Sequence, residues 1–169
     1  MTRTLLLLRH AKSSWEDPSL PDHDRPLNPR GKRDAPRVGR ALRQRGLRPD
    51  TVLSSTAKRA RKTAFRAIEA SGWAVPVECL DSLYRASPEA LVEALRDQPD
   101  QYACILLVGH NPELQDLLQR LTGQPAELAT ATLAEIELPI DRWRDLSTTT
   151  PGRLENLWRP GDKDESQGP

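Results

Sequence analysis

Four consecutive leucines, Leu5 to Leu8, stop abruptly at Arg9-His10. So short an apolar run cannot cross a bilayer and has the length of a parallel strand covered on both faces, although periodicity alone also allows a buried helical segment. In open α/β sheets, ligands gather beyond the carboxyl ends of the strands. A strand at Leu5–Leu8 would deliver Arg9 and His10 to that position.

The rest of the chain alternates strand and helix signals. Residues 14 to 28 hold three prolines and read as a loop over the strand ends. Asn28-Pro29 starts a helix that ends at Gly46, with Ala35, Val38 and Leu42 facing inward. Pro36 should kink or interrupt it, because proline removes a backbone donor. A second strand covers Asp50 to Ser55, and Thr56 can cap a helix from Ala57 to about Ala70, before Gly72. Val75 to Leu80 reads as a strand, Ser87-Pro88 to Asp97 as a capped helix and Cys104 to Gly109 as a strand ending beside a second histidine, His110. A helix follows from Asn111-Pro112 to Gly123, with Leu114, Leu117, Leu118 and Leu121 inward, then strands near Thr132–Leu138 and Arg153–Trp158. This order predicts an α/β fold: one three-layer αβα domain over residues 1–159 around a mostly parallel sheet whose last strands can run antiparallel. Residues 160–169, charged and small, are expected to form a disordered tail.

Composition narrows the function classes. A chain of 169 residues fits one domain, and no apolar run reaches 18 residues. Met1 to Thr4 precede only four leucines, too few for a signal peptide, so a cytoplasmic location is expected. Cys79 and Cys104 form no CxxC pair and read as reduced thiols, and three histidines in all make a metal cluster a poor fit. No pattern points to a nucleotide or flavin cofactor, and Trp15, Trp73, Trp143 and Trp158 read as core or rim packing residues.

A net charge of +1 conceals a basic block: Arg25 to Arg66 holds 14 Arg or Lys against two aspartates, an excess of 12. Solvated helix faces are one explanation and an anionic partner another. Nucleic acid fits poorly, since Phe65 is the block's single aromatic. Lys58, Arg59, Arg61 and Lys62 crowd the start of a helix, where cations oppose the macrodipole unless an anion is held there.

If the strands share one sheet, Arg9-His10, Arg59 and His110 converge from three strand ends. Two arginines and two histidines make a cationic pocket suited to phosphoryl transfer, which asks for positioning and for charge neutralisation on three equatorial oxygens. One histidine can attack as a neutral imidazole, kept so by neighbouring Arg9 and Arg59, while the other donates to the phosphoryl oxygens.

These residues carry a resemblance. The chain resembles the histidine phosphatase superfamily, also called phosphoglycerate-mutase-like, and most closely its short SixA-type phosphohistidine phosphatase branch. The motifs are Leu8-Arg9-His10-Ala11-Lys12-Ser13, Asp24-Arg25-Pro26-Leu27 with Arg30-Gly31, Ser54-Ser55-Thr56-Ala57-Lys58-Arg59-Ala60 with Thr63-Ala64, and Val108-Gly109-His110-Asn111-Pro112. The resemblance implies a phosphoglycerate-mutase-like fold and a transient phosphohistidine on His10. It also implies phosphoryl binding by Arg9, Arg59 and His110, further substrate contacts from Arg25, Lys12 and Ser13, and neither metal nor cofactor. As partner it implies a phosphorylated protein, such as a histidine-phosphotransfer domain, reached without nucleic acid or membrane.

Three departures bear on substrate. Ala11 replaces the usual glycine of the motif, and Glu16 stands where many relatives have a phosphate-positioning asparagine. Ser82, next to Asp81, stands where relatives acting on esters place a proton-donating acid. An alkoxide leaves poorly without general-acid help, whereas phosphohistidine releases an imidazole of pKa about 6.5. The missing acid therefore favours a phosphoramidate substrate unless Asp81 or Asp24 swings in as acid. A small-molecule phosphomonoesterase is the alternative within the superfamily, and a non-enzymatic polyanion-binding protein is the alternative outside it.

Overall fold

A computed structural model describes residues 1–162, so Lys163 to Pro169 of the expected tail lie outside the described residues. The first three tail residues form a turn closed by the Asp162 amide on the Arg159 carbonyl, 3.0 Å.

Six strands form one sheet: β1 (Arg3–Arg9), β2 (Thr51–Ser55), β3 (Val77–Leu80), β4 (Cys104–Gly109), β5 (Leu133–Leu138) and β6 (Arg153–Trp158). Their order is β3-β2-β4-β1-β5-β6. Contacts of β1 with β4, β2 with β4 and β2 with β3 are parallel, while β5 runs antiparallel to both β1 and β6. The mixed sheet and its four helices are the expected α/β architecture.

The leucine run explains why the sheet is covered on both sides. Successive strand side chains point to opposite faces. Leu5 and Leu7 enter a core shared with α3 (Pro88–Arg96) and α4 (Glu113–Thr122). Leu6 and Leu8 enter a second core shared with α1 (Pro29–Arg45) and α2 (Lys58–Ser71). All four are fully buried, and each buried leucine contributes about 1.5–3 kcal/mol relative to exposure.

Local signals set most helix ends. Asn28 accepts the Gly31 amide at 2.8 Å with Pro29 in the first turn, and Ser87 caps α3 through the Ala90 amide at 3.2 Å. Gly46, Gly72 and Gly123 take left-handed conformations just past α1, α2 and α4.

Three expectations need correction. Helix α1 runs through Pro36 without interruption. A proline there costs about 3 kcal/mol, and burial of Ala35, Val38, Ala41 and Leu42 on its inner face offsets that loss. Close approach to α2 adds to the clamp: a Cβ on Gly39 would stand 1.9 Å from the Ala67 carbonyl oxygen, so only glycine fits. Thr56 does not cap α2, because its hydroxyl pairs with His23 Nε2 at 2.9 Å, and the α2 N-cap, Ala57, gives its amide to Ser55 Oγ at 3.1 Å. Helix α4 begins at Glu113, past a cis Asn111–Pro112 bond, rather than at Asn111.

Candidate active site

The chain leaves β1 through α1 on one face of the sheet and leaves β4 through α4 on the other. A crevice therefore opens between the carboxyl ends of these paired strands, where Arg9 is in register with Gly109. The His10 amide continues the ladder to the Gly109 carbonyl at 3.1 Å. Ala131, in a left-handed conformation, turns its amide toward the carbonyls of Arg9 and His10 at 3.0 and 3.1 Å, and the Ala11 amide donates to Thr63 Oγ1 at 3.0 Å. The end of β1 is thus held from three sides.

A cavity of about 350 Å³ occupies the crevice. Arg9, His10, Lys12, Ser13, Arg25, Arg59 and His110 line it, together with Arg85, which the sequence did not single out; Lys58, Arg61 and Lys62 at the start of α2 do not. His10 Nδ1 lies 2.7 Å from the Ala11 carbonyl oxygen. A carbonyl only accepts, so Nδ1 carries the hydrogen and the lone pair of the neutral ring sits on Nε2. Burial, reinforced by His110, Arg59 and Arg9, lowers the His10 pKa to about 3. His110 lies 5.2 Å away between ring centroids, and its pKa falls to about 4, chiefly by burial and then by Arg59. Its Nε2 pairs with Ser55 Oγ at 2.8 Å. Because Ser55 Oγ already accepts the Ala57 amide, its hydroxyl proton is available to Nε2. The hydroxyl also keeps a second lone pair, so it suits either neutral tautomer of His110, whose Nδ1 is buried and has no partner among the described residues.

The arginines are held largely through Asp22, which sequence reasoning missed. Arg59 gives one nitrogen to the Asp22 carbonyl at 2.7 Å and another to Asp22 Oδ2 at 2.9 Å. Arg25 donates to the Ser14 carbonyl at 3.2 Å, to Asp22 Oδ1 at 3.0 Å and to Ser13 Oγ, and its guanidinium stacks on the Trp15 ring at 3.3 Å. All three Arg25 nitrogens are engaged, so it braces the loop as well as lining the cavity. The Tyr84 hydroxyl donates to Asp22 Oδ2 at 2.6 Å. That bond, with those of Arg59 and Arg25, holds the Asp22 carboxyl ionised, well below the usual carboxylate range. Arg9 donates to the Leu128 carbonyl at 3.1 Å.

Asp81 and Asp24, the acids considered from sequence, are exposed and outside the cavity lining. Two other carboxylates line it, Asp22 and Glu113. Three prolines made residues 14–28 read as loop, which hid Asp22. Glu113 stands three residues beyond His110, and no local pattern marked it.

The histidines also predict a pH effect on stability. Each binds a proton near pH 6.5 when unfolded and only near pH 3 to 4 when folded. Between those limits the unfolded state holds more protons, so stability falls as pH falls. The expected slope is about 1.4 kcal/mol per pH unit for each histidine below pH 6.5. Urea midpoints that drop from pH 7 to pH 5, with a smaller drop in His10→Ala, would meet this expectation.

Comparisons with known proteins point to one family and fold. The sequence model of the histidine phosphatase superfamily (branch 1) matches residues 5–84. An uncharacterised chloroplastic protein of Arabidopsis thaliana is 33% identical over 95% of this chain and 79% of its own length. The crystal structure of a candidate phosphohistidine phosphatase SixA from Agrobacterium tumefaciens superposes with a TM-score of 0.80 at 29% identity, covering 94% of this chain and 98% of that one. A protein histidine phosphatase SixA complexed with tungstate shares the fold, with a TM-score of 0.78 at 19% identity over 93% and 97% of the two chains.

Proposed function

The chain belongs to the histidine phosphatase superfamily and is a phosphatase; from that premise we propose that it dephosphorylates protein phosphohistidine through a covalent phosphoryl group on His10. The observation that carries this reading is the His10 ring: buried, neutral, tautomerically fixed by the Ala11 carbonyl, and left with its Nε2 lone pair as the reactive atom.

In the proposed reaction Nε2 attacks phosphorus as the bond to the leaving imidazole breaks. Arg9 and Arg59 neutralise the equatorial oxygens, and His110 donates a hydrogen bond to one of them. Preorganisation comes from outside the reacting groups, since Asp22 holds the Arg59 fork and Ser55 holds the His110 ring. Water then attacks the phosphohistidine and returns the electron pair to Nε2. Lys12 and Ser13 serve as rim contacts, and Arg25 orders the loop that carries them.

A protein substrate is favoured by the basic outer faces of α1 and α2. Helices α1 and α2 expose Arg30, Lys32, Arg33, Arg37, Arg40, Lys62 and Arg66, a field that would steer an acidic phosphoprotein toward the crevice. The polyanion-binding alternative gives no reason for a buried neutral histidine with a fixed tautomer in the cavity. The test is incubation with a histidine-phosphorylated phosphotransfer domain carrying radiolabel. Release of phosphate, with a rate that falls as salt is added, is expected. No release, or release indifferent to salt, would overturn the protein-substrate reading.

A further inference from the structure

Two carboxylates line the cavity, and the protein treats them in opposite ways. Asp22 is bound by two arginines and a tyrosine and stays ionised, so it has no proton to give near neutral pH. Glu113 is half-buried in the first turn of α4, one turn beyond His110, and its carboxyl has no hydrogen bond or ion pair to another side chain among the described residues. Divergent environments for two carboxyls in one pocket are the pattern by which acid and base roles separate. Asp81 and Asp24 lie outside the cavity lining, so Glu113 is the carboxyl there that is free to exchange a proton with a bound substrate.

We infer that Glu113 is a general acid that extends this pocket to phosphomonoesters, protonating the leaving alcohol oxygen as His10 takes the phosphoryl group. The inference rests on the reading of His10 as phosphoryl acceptor. In the first step the bond from Nε2 to phosphorus forms, the bond from phosphorus to the ester oxygen breaks, and the Glu113 proton passes to that oxygen. In the second, water oxygen attacks phosphorus, its proton goes to the Glu113 carboxylate, and the electron pair of the breaking phosphorus–nitrogen bond returns to Nε2. Both groups end as they began. Burial, together with Asp116 one turn further along α4, raises the Glu113 pKa and so favours its acid form, although its own backbone amide acts the other way. Phosphohistidine protonated on its other ring nitrogen needs no such proton, because it leaves as a neutral imidazole.

The test compares wild type with Glu113→Gln on phenyl phosphate, p-nitrophenyl phosphate and phosphoramidate, reading kcat/KM so that only steps through His10 phosphorylation count. The substitution is expected to slow phenyl phosphate by about 10²-fold or more and to leave the other two within about threefold, since general-acid help matters most for a basic leaving group. A uniform loss across the three, no loss with phenyl phosphate, or wild-type enzyme inert toward phenyl phosphate would each overturn the inference. Thermal melting of Glu113→Gln excludes a folding defect. Acid-labile label trapped on His10 of wild type from p-nitrophenyl phosphate tests the underlying reading separately: its absence would sink the His10 role, whereas label with a flat leaving-group response would sink the Glu113 role alone.

Discussion

His10→Ala is expected to lower kcat by about four orders of magnitude or more, the loss typical when a covalent nucleophile is removed and only charge stabilisation remains. His110, Asp22 and Ser13 cannot replace it. His110 is neutral as well, but its Nε2 is committed to Ser55. Asp22 has its carboxylate oxygens bonded to Arg59, Arg25 and Tyr84, and Ser13 accepts from Arg25. Acid-labile label should therefore vanish from the protein together with phosphate release. Circular dichroism of the variant should remain native, because the ring makes one hydrogen bond, to its neighbour Ala11, and the surrounding strand is held by backbone bonds. Retention of label in His10→Ala would move the nucleophile elsewhere and undo the mechanism.

The second large effect is expected at Arg59. Arg59→Ala should reduce kcat/KM by about 10²–10³-fold, as when one oxyanion-stabilising donor is lost from an active site. Arg59→Lys should recover little, because an ammonium group cannot span the Asp22 carbonyl and carboxylate as the guanidinium fork does. Arg59→Ala also strips Asp22 of a partner, so a stability loss of about 1–3 kcal/mol should accompany the kinetic one. Inhibition by tungstate or vanadate should weaken in parallel with kcat/KM. Unchanged oxyanion inhibition would show that Arg59 orders Asp22 and its loop without touching the phosphoryl group.

Much of this could be read from residue order. The strand at Leu5–Leu8 and the strands Cys104–Gly109 and Arg153–Trp158 lie where alternation and apolar runs place them, because strand burial on two faces writes itself locally. Caps at Asn28 and Ser87 and stops at Gly46, Gly72 and Gly123 were legible for the same reason, since each satisfies or frees backbone groups within a few residues. Convergence of Arg9, His10, Arg59 and His110 followed from one further rule, that parallel strands gather their carboxyl ends on one edge. Pro36 shows the limit. Its local cost is real, yet α1 passes through it because packing against α2 and the sheet outweighs one missing bond.

Asp22 was beyond local reasoning, as its partners Arg59 and Tyr84 stand 37 and 62 residues away. The same holds for Glu113 as against Asp81 and Asp24: which carboxyl faces the cavity depends on where α4 and the loops settle, not on spacing to a motif. Residue order thus carried the α/β alternation, the two-sided core and the placing of Arg9, His10, Arg59 and His110 at strand ends, because strand and helix patterns are local. Tertiary structure alone decided which carboxylates enter the site and which histidine nitrogen is free to react, because burial and hydrogen bonding between distant segments set each proton's place.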